Sequence, residues 1–115
     1  MASDDGLPVG ALAIIAAIIE RHAVIRKAIL LGSRAMGTHS PSSDIDIALE
    51  GDDLTLQVLG RLAADFDESS LPVAVDVVVA ETIRSEALSA HIARYGRALW
   101  ERREQLLPEI KRGNL

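Results

Sequence analysis

Three acidic residues and a glycine–serine pair are the parts of this sequence that could do chemistry together. Asp44 and Asp46 are two residues apart in a stretch that alternates with large apolar residues, so both carboxylates project from one face of a strand. Asp76 interrupts a strand that otherwise holds only Val and Ala. Two such anions about 4 Å apart repel by about 4 kcal/mol at an effective dielectric of about 20, which favours a shared proton or a bound cation.

Carboxylate oxygens of this kind select hard cations such as Mg²⁺ or Mn²⁺. Mg²⁺ typically uses one or two carboxylates together with the phosphate oxygens of a substrate. Asp44, Asp46 and Asp76 are therefore candidate metal ligands and catalytic residues. Each part alone has a simpler interpretation, because an Asp-x-Asp pair is usually a solvated face. Asp76 alone could be a buried carboxylate that backbone donors satisfy.

Gly32 and Ser33 would supply the phosphate-binding half of such a site. Glycine lets the backbone approach a ligand closely, and the amides at the start of a helical turn can bind phosphate oxygens. The Ser33 hydroxyl adds a donor, and Arg34 could neutralise phosphate charge. The P-loop pattern is absent. A Gly-Ser pair alone is usually a turn, but together with the aspartates it predicts a nucleotide–metal site.

The elements that must position these residues follow from hydrophobic periodicity. We predict helices over 8–23, 54–67 and 84–95, strands over 25–31, 44–49 and 73–80, and a short edge strand over 98–100. Asp52 or Asp53 is expected to cap the second helix, and Gly96 to end the third. The loop 32–43 is expected to hold one helical turn after Ser33.

This order predicts an α/β protein with a mixed sheet of three to four strands and helices packed on it. The first two strands have a short connection and should be antiparallel, whereas strands joined through a helix should be parallel. Gly32-Ser33 and Asp44-x-Asp46 then meet at one end of the sheet.

Composition bounds the class of protein. The 115 residues, 49% hydrophobic and 25% charged, are typical of one globular domain spanning 1–115, with a flexible tail expected after about residue 101. The absence of Cys excludes disulfide scaffolds, Cys-ligated zinc and thiol catalysis. The acidic start and the short apolar stretch 11–19 argue against a signal peptide and a membrane span, so we expect a cytoplasmic protein.

The charge is unevenly distributed along the chain. Residues 94–115 hold six basic and three acidic residues, a net charge of +3, whereas 1–93 carry −8. The acidic body argues against a nucleic-acid partner. The basic segment is either a solvated tail or a surface that docks an acidic partner or a substrate phosphate. A chain of this length has no room for an acceptor-binding domain, so another molecule is expected to present the acceptor.

The arrangement Gly32-Ser33, ten intervening residues, then Asp44-Ile45-Asp46 resembles the signature of the polymerase-β-like nucleotidyltransferase superfamily. The surrounding residues 31–37 and 43–48 resemble its minimal nucleotidyltransferase branch, found in HEPN/MNT toxin–antitoxin pairs. The likeness continues through 75–78 to 92–100 and covers about residues 8–100.

The resemblance implies a nucleotidyltransferase fold and transfer of a nucleoside monophosphate from a nucleoside triphosphate, with Mg²⁺ or Mn²⁺ and with pyrophosphate leaving. It places the triphosphate at Gly32 and Ser33, and the metal and catalysis at Asp44, Asp46 and Asp76; Arg34 and Ser43 are the further candidate nucleotide-binding residues. It further implies an antitoxin that pairs with a HEPN-domain protein in a hetero-oligomer and transfers AMP from ATP to a partner tyrosine. Leu31 and Met36 depart from the aromatic and basic residues frequent at those positions.

Two other functions stay open. The same fold could hold a nucleotide or partner without catalysis, or transfer a nucleotide to a small molecule such as an aminoglycoside. The intact set of three carboxylates favours an enzyme over the first, and the missing second domain counts against the second.

Overall fold

The computed structural model describes residues 6–102 as a four-stranded mixed sheet with helices on both faces. Its elements are α1 (Ala11–Glu20), β1 (Ile25–Leu31), α2 (Gly32–Met36), β2 (Ile45–Gly51), α3 (Leu56–Asp67), β3 (Val75–Val79), a 3₁₀ turn (Ala80–Thr82), α4 (Glu86–Tyr95) and β4 (Arg97–Glu101). The predicted α/β class, element order and edge strand are confirmed. The expected flexible tail lies outside the described residues.

The sheet order is β3-β2-β1-β4. β1 is antiparallel to β2 and to β4, and β2 is parallel to β3, as the connection lengths predict. Alternation along β2 sends Ile45, Ile47 and Leu49 into a core beneath α1 and α3. Asp46 and Ala48 therefore point to the opposite face, where α4 lies against β1.

The helix starts differ from the sequence prediction, by three residues for α1 and by two residues each for α3 and α4. The first helix begins at Ala11, because Pro8 lies in a turn whose carbonyl accepts the Ala11 amide at 2.9 Å. The cap of α3 is Thr55, whose hydroxyl accepts from the Val58 amide at 3.2 Å, so the expectation for Asp52 or Asp53 is wrong. Thr55 stands at the position from which a hydroxyl reaches the third following amide.

The environment of Asp76 also differs from the one expected. Strand β3 lies at an edge of the sheet, and its residues alternate between half-buried and exposed. The half-buried Val75 and Val77 pack against the core, whereas Asp76 and Val78 are exposed. The Asp76 carboxylate is therefore solvated rather than enclosed. No helix within residues 6–102 is both long and apolar enough to cross a bilayer.

Candidate functional site

Three residues in register across the sheet build the centre of the site. Leu31, the last residue of β1, lies opposite Asp46 on β2, and Asp46 in turn lies beside Asp76 on β3. Neighbouring strands are about 4.8 Å apart, so the two aspartates are adjacent on one face. Gly32 follows Leu31 directly, which brings the start of α2 to this carboxylate pair.

A cleft of about 380 Å³ opens over this row. Its acidic lining residues are Asp46 and Asp76, its backbone rim includes Gly32, and α4 forms the facing wall with Leu88 and His91. The remaining lining residues, Leu31, Ile47 and Val78, are apolar. The volume is within the range of pockets that hold small molecules.

Gly32 is held tightly against Asp46. Its φ is +77°, and a Cβ built on it would run into the Asp46 Oδ2. The left-handed conformation alone costs a non-glycine residue about 1–2 kcal/mol. Glycine is thus required at this position by the neighbouring carboxylate as well as by any approaching ligand.

The electrostatics of the cleft centre on Asp46. Burial raises the pKa of this carboxyl above its ordinary value of 3.8, and the negative charges of Asp76 and Asp44 raise that pKa further. The cleft therefore disfavours the ionised form of Asp46 beside the charges of Asp76 and Asp44. A cation would relieve this repulsion.

The third aspartate is placed differently. Asp44 is exposed, precedes β2 and does not line the cleft, although its charge reaches Asp46. Within residues 6–102, no three acidic or histidine side chains converge closely enough to hold a metal ion between them. The structure therefore brings together Asp46 and Asp76, with Asp44 at the edge of the same site.

The predicted nucleotide-binding serines lie beside the cleft rather than in its lining. Ser33 is half-buried in the first turn of α2. The Ser43 hydroxyl accepts from the Ser40 amide at 2.9 Å and so folds the loop that leads to Asp44. The structure thus gives Ser43 a contact within its own loop.

Arg34 has a different place from the one expected for a phosphate ligand. Its side chain is only 1% exposed. The guanidinium donates to the carbonyls of Gly6, Ser40, Pro41 and Ser43 at 3.0–3.3 Å. The interpretation of Arg34 as a nucleotide contact is corrected on this point: it ties α2 to the loop before Asp44 and to the start of the described chain.

We expect Arg34→Ala to destabilise the protein by about 3 kcal/mol, because the substitution leaves the buried Gly6 carbonyl and three part-buried carbonyls of the loop 40–43 without their charged donor. Urea denaturation measures this loss. Arg26→Ala is the matched control, since Arg26 makes an exposed ion pair with Asp52 at 2.8 Å and should cost less than about 1 kcal/mol. Equal stability losses in the two variants would contradict the anchoring role.

His91 is the cleft residue that sequence reasoning missed. The predicted site does not include it, yet its Nε2 accepts a hydrogen bond from the Gly32 amide at 2.9 Å. Leu88 and His91 are three residues apart and share a helix face, which is the signal that could have found them. Placing that face over Gly32 required the tertiary fold.

Comparisons with known proteins agree with this geometry. Residues 14–105 match the family model described as Polymerase beta, Nucleotidyltransferase. No curated protein sequence matches the chain.

Several similar solved structures are described as toxin–antitoxin structures. One is a toxin–antitoxin with AMP-PNP, at 27% identity and a TM-score of 0.64 over 82% of this chain and 76% of that chain. Another is a mutant of the toxin–antitoxin MntA-HpeT, at 28% identity and a TM-score of 0.62 over 84% and 76%. The toxin–antitoxin MntA-HepT shares the fold at 24% identity and a TM-score of 0.57 over 82% and 73%.

Proposed function

Because the chain belongs to the polymerase β nucleotidyltransferase family, we propose that it transfers AMP from ATP to a hydroxyl group of a partner protein. The observation that carries this proposal is the register of Asp46 beside Asp76, next to the backbone of Gly32, in the lining of one cleft. Paired carboxylates beside a close-approach glycine suit a triphosphate with its metal ion.

Asp46 and Asp76 would hold Mg²⁺ or Mn²⁺, with Asp44 as a third carboxylate at the edge of the site. The donor set fits such an ion, since it consists of hard oxygen ligands, and since burial and then the neighbouring anions raise the pKa of Asp46, a repulsion that a cation would offset. When bound, the ion supplies positive charge that offsets the triphosphate and the leaving pyrophosphate. Mg²⁺ commonly needs only one or two protein carboxylates beside substrate phosphates.

Residues of the chain would bind the phosphates and accept the proton of the acceptor. The Ser33 hydroxyl and the backbone beside Gly32 hold phosphate oxygens. The acceptor oxygen forms a bond to the α-phosphorus while the bond from that phosphorus to the bridging oxygen of pyrophosphate breaks. The hydroxyl proton passes to the carboxylate of Asp76, which is exposed on an edge strand and open to an incoming side chain.

We further propose that the acceptor is a tyrosine of a HEPN-domain toxin, with this chain as its antitoxin in a hetero-oligomer. Support comes from the likeness to a toxin–antitoxin structure that contains AMP-PNP, an ATP analogue. The formal net charge of −5 also favours a protein acceptor over a nucleic acid.

Co-expression with a candidate HEPN-domain partner protein tests the proposal. Purified complex is incubated with Mg²⁺ and each labelled nucleoside triphosphate, and the partner is analysed by intact mass spectrometry. We expect AMP to be added to the partner and pyrophosphate to be released. A stable complex without transfer would indicate a non-catalytic binding module, and efficient transfer to an aminoglycoside by the chain alone would indicate a small-molecule enzyme.

Ser33→Ala is expected to raise the KM for ATP about tenfold or more, the cost of one charge-assisted hydrogen bond of about 1.5–3 kcal/mol. Steady-state transfer kinetics provide the measurement. Ser70→Ala removes an exposed hydroxyl in the segment after α3 and is the control. Unchanged kinetics in Ser33→Ala would exclude this hydroxyl as a phosphate contact.

A further inference from the structure

Two distant parts of the chain meet at one hydrogen bond beside the cleft. The Gly32 amide donates to the His91 Nε2 at 2.9 Å, across 59 positions of sequence. Helix α4 carries the histidine, and the helix is fixed at its start by the Ser85 hydroxyl, which accepts from the Leu88 amide at 3.1 Å. The imidazole also lies against the Tyr95 ring, with centroids 5.3 Å apart.

The end of α4 packs closely against β1. A Cβ on Gly96 would lie 2.5 Å from the Ile92 carbonyl oxygen and 3.0 Å from the Ile29 side chain on β1. The helix therefore packs closely onto the strand that leads into Gly32. His91 consequently approaches the Gly32 amide from a well-supported backbone.

Helix α2 has no cap of its own. Leu31 stands at its N-cap position and makes no side-chain cap hydrogen bond. The His91 Nε2 thus does for Gly32 what a capping side chain normally does for the first amides of a helix. Gly32 is fixed from two sides, by His91 at its amide and by Asp46 at its Cα.

We propose that His91 is a positioning residue for nucleotide binding, which holds the Gly32 peptide in its left-handed conformation and so keeps the start of α2 beside the Asp46 carboxylate. This role rests on the proposed nucleotidyltransferase function. His91 itself need not touch the nucleotide, because it acts through the peptide that it anchors.

The proposed role requires a hydrogen-bond acceptor at position 91. Accepting the Gly32 N–H leaves Nε2 without a proton, so Nδ1 carries the hydrogen of the neutral ring. A glutamine at position 91 could offer its Oε1 to the same amide, whereas a leucine would fill similar space with no acceptor. The pair His91→Gln and His91→Leu therefore separates hydrogen bonding from packing.

The kinetic test compares these two variants in the complete complex. We expect His91→Leu to raise the KM for ATP about three- to tenfold, the effect of one neutral hydrogen bond, with kcat changed less than about twofold. His91→Gln should restore most of the wild-type KM. His22→Leu is the control, since His22 also makes a 2.9 Å hydrogen bond, to Asp65, but precedes β1 at the strand's other end.

A second measurement does not depend on turnover. In ¹⁵N-labelled nucleotide-free protein, the Gly32 amide should be protected from hydrogen exchange in wild type and in His91→Gln, and exposed in His91→Leu. Equal protection and equal KM in all variants would overturn the role of His91 while leaving the transfer activity standing. Tighter ATP binding by His91→Leu would show competition instead of positioning and would also overturn it. A wild-type complex that neither binds nor transfers nucleotide would overturn the proposed function and this role with it.

Discussion

Asp46→Asn is expected to lower AMP transfer by at least about a hundredfold while making the metal-free protein more stable. Removing a preorganised charged group from a reaction centre commonly lowers the rate by about this factor. The stability gain follows from the pKa of Asp46, which burial and then the charges of Asp76 and Asp44 raise in the folded state. An amide of the same shape keeps the packing and removes one of three mutually repelling anions.

The pH dependence follows from the same shift. A carboxyl whose folded pKa lies above its unfolded pKa binds more protons in the folded state at intermediate pH, so the folded state loses stability there as pH rises. The contribution of Asp46 is fully present below about 3.8 and is lost as pH rises through its higher folded pKa. The stability advantage of Asp46→Asn should therefore be absent in strong acid and grow towards neutral pH.

Urea denaturation over a pH series, with a chelator and then with Mn²⁺, measures both effects. Mn²⁺ should stabilise wild type more than Asp46→Asn, because a ligand that binds the folded state adds to its stability. Asp53→Asn is the control: it removes the same charge at an exposed turn whose φ of 58° asparagine tolerates well. Identical pH and metal responses in Asp46→Asn and wild type would rule out the carboxylate centre.

Local patterns in the sequence predict that Gly32 and Asp46 meet at one end of the sheet. The alternation from Asp44 to Leu49 fixes which face of β2 each side chain occupies, and a short connection makes β1 antiparallel to it. Together, these two features predict that Gly32 lies next to Asp46. The parallel placement of β3 follows from its helical connection, and the register then sets Asp76 beside Asp46.

The features of the site that sequence reasoning did not predict depend on contacts between distant elements. The burial of Arg34 arises from carbonyls at Gly6 and in the loop 40–43, none of which a local pattern places around a guanidinium. The contact of His91 with Gly32 requires α4 to fold across β1. The exposure of Asp76 follows from the edge position of β3, which only the complete strand order reveals.

Gly32→Ala is expected to reduce AMP transfer about a hundredfold and to destabilise the protein by more than about 2 kcal/mol. Part of this loss is the left-handed backbone at φ +77°, which costs alanine about 1–2 kcal/mol. The rest arises because the new Cβ would run into the Asp46 Oδ2, so the carboxylate must move. Misplacing a catalytic group by about 1 Å can cost about a hundredfold in rate.

Gly37→Ala separates these two causes. Gly37 has φ +83°, nearly the same backbone conformation, but a Cβ there would meet no atom within 4 Å. It lies at the other end of the same short helix, so it carries the conformational cost without the collision. We expect Gly37→Ala to lose stability by about 1–2 kcal/mol and to keep near-normal kcat, measured by denaturation and single-turnover transfer. If both alanine variants lose activity equally, backbone strain in α2 and not the position of Asp46 controls the reaction, and the contact between Gly32 and the carboxylate has no catalytic role.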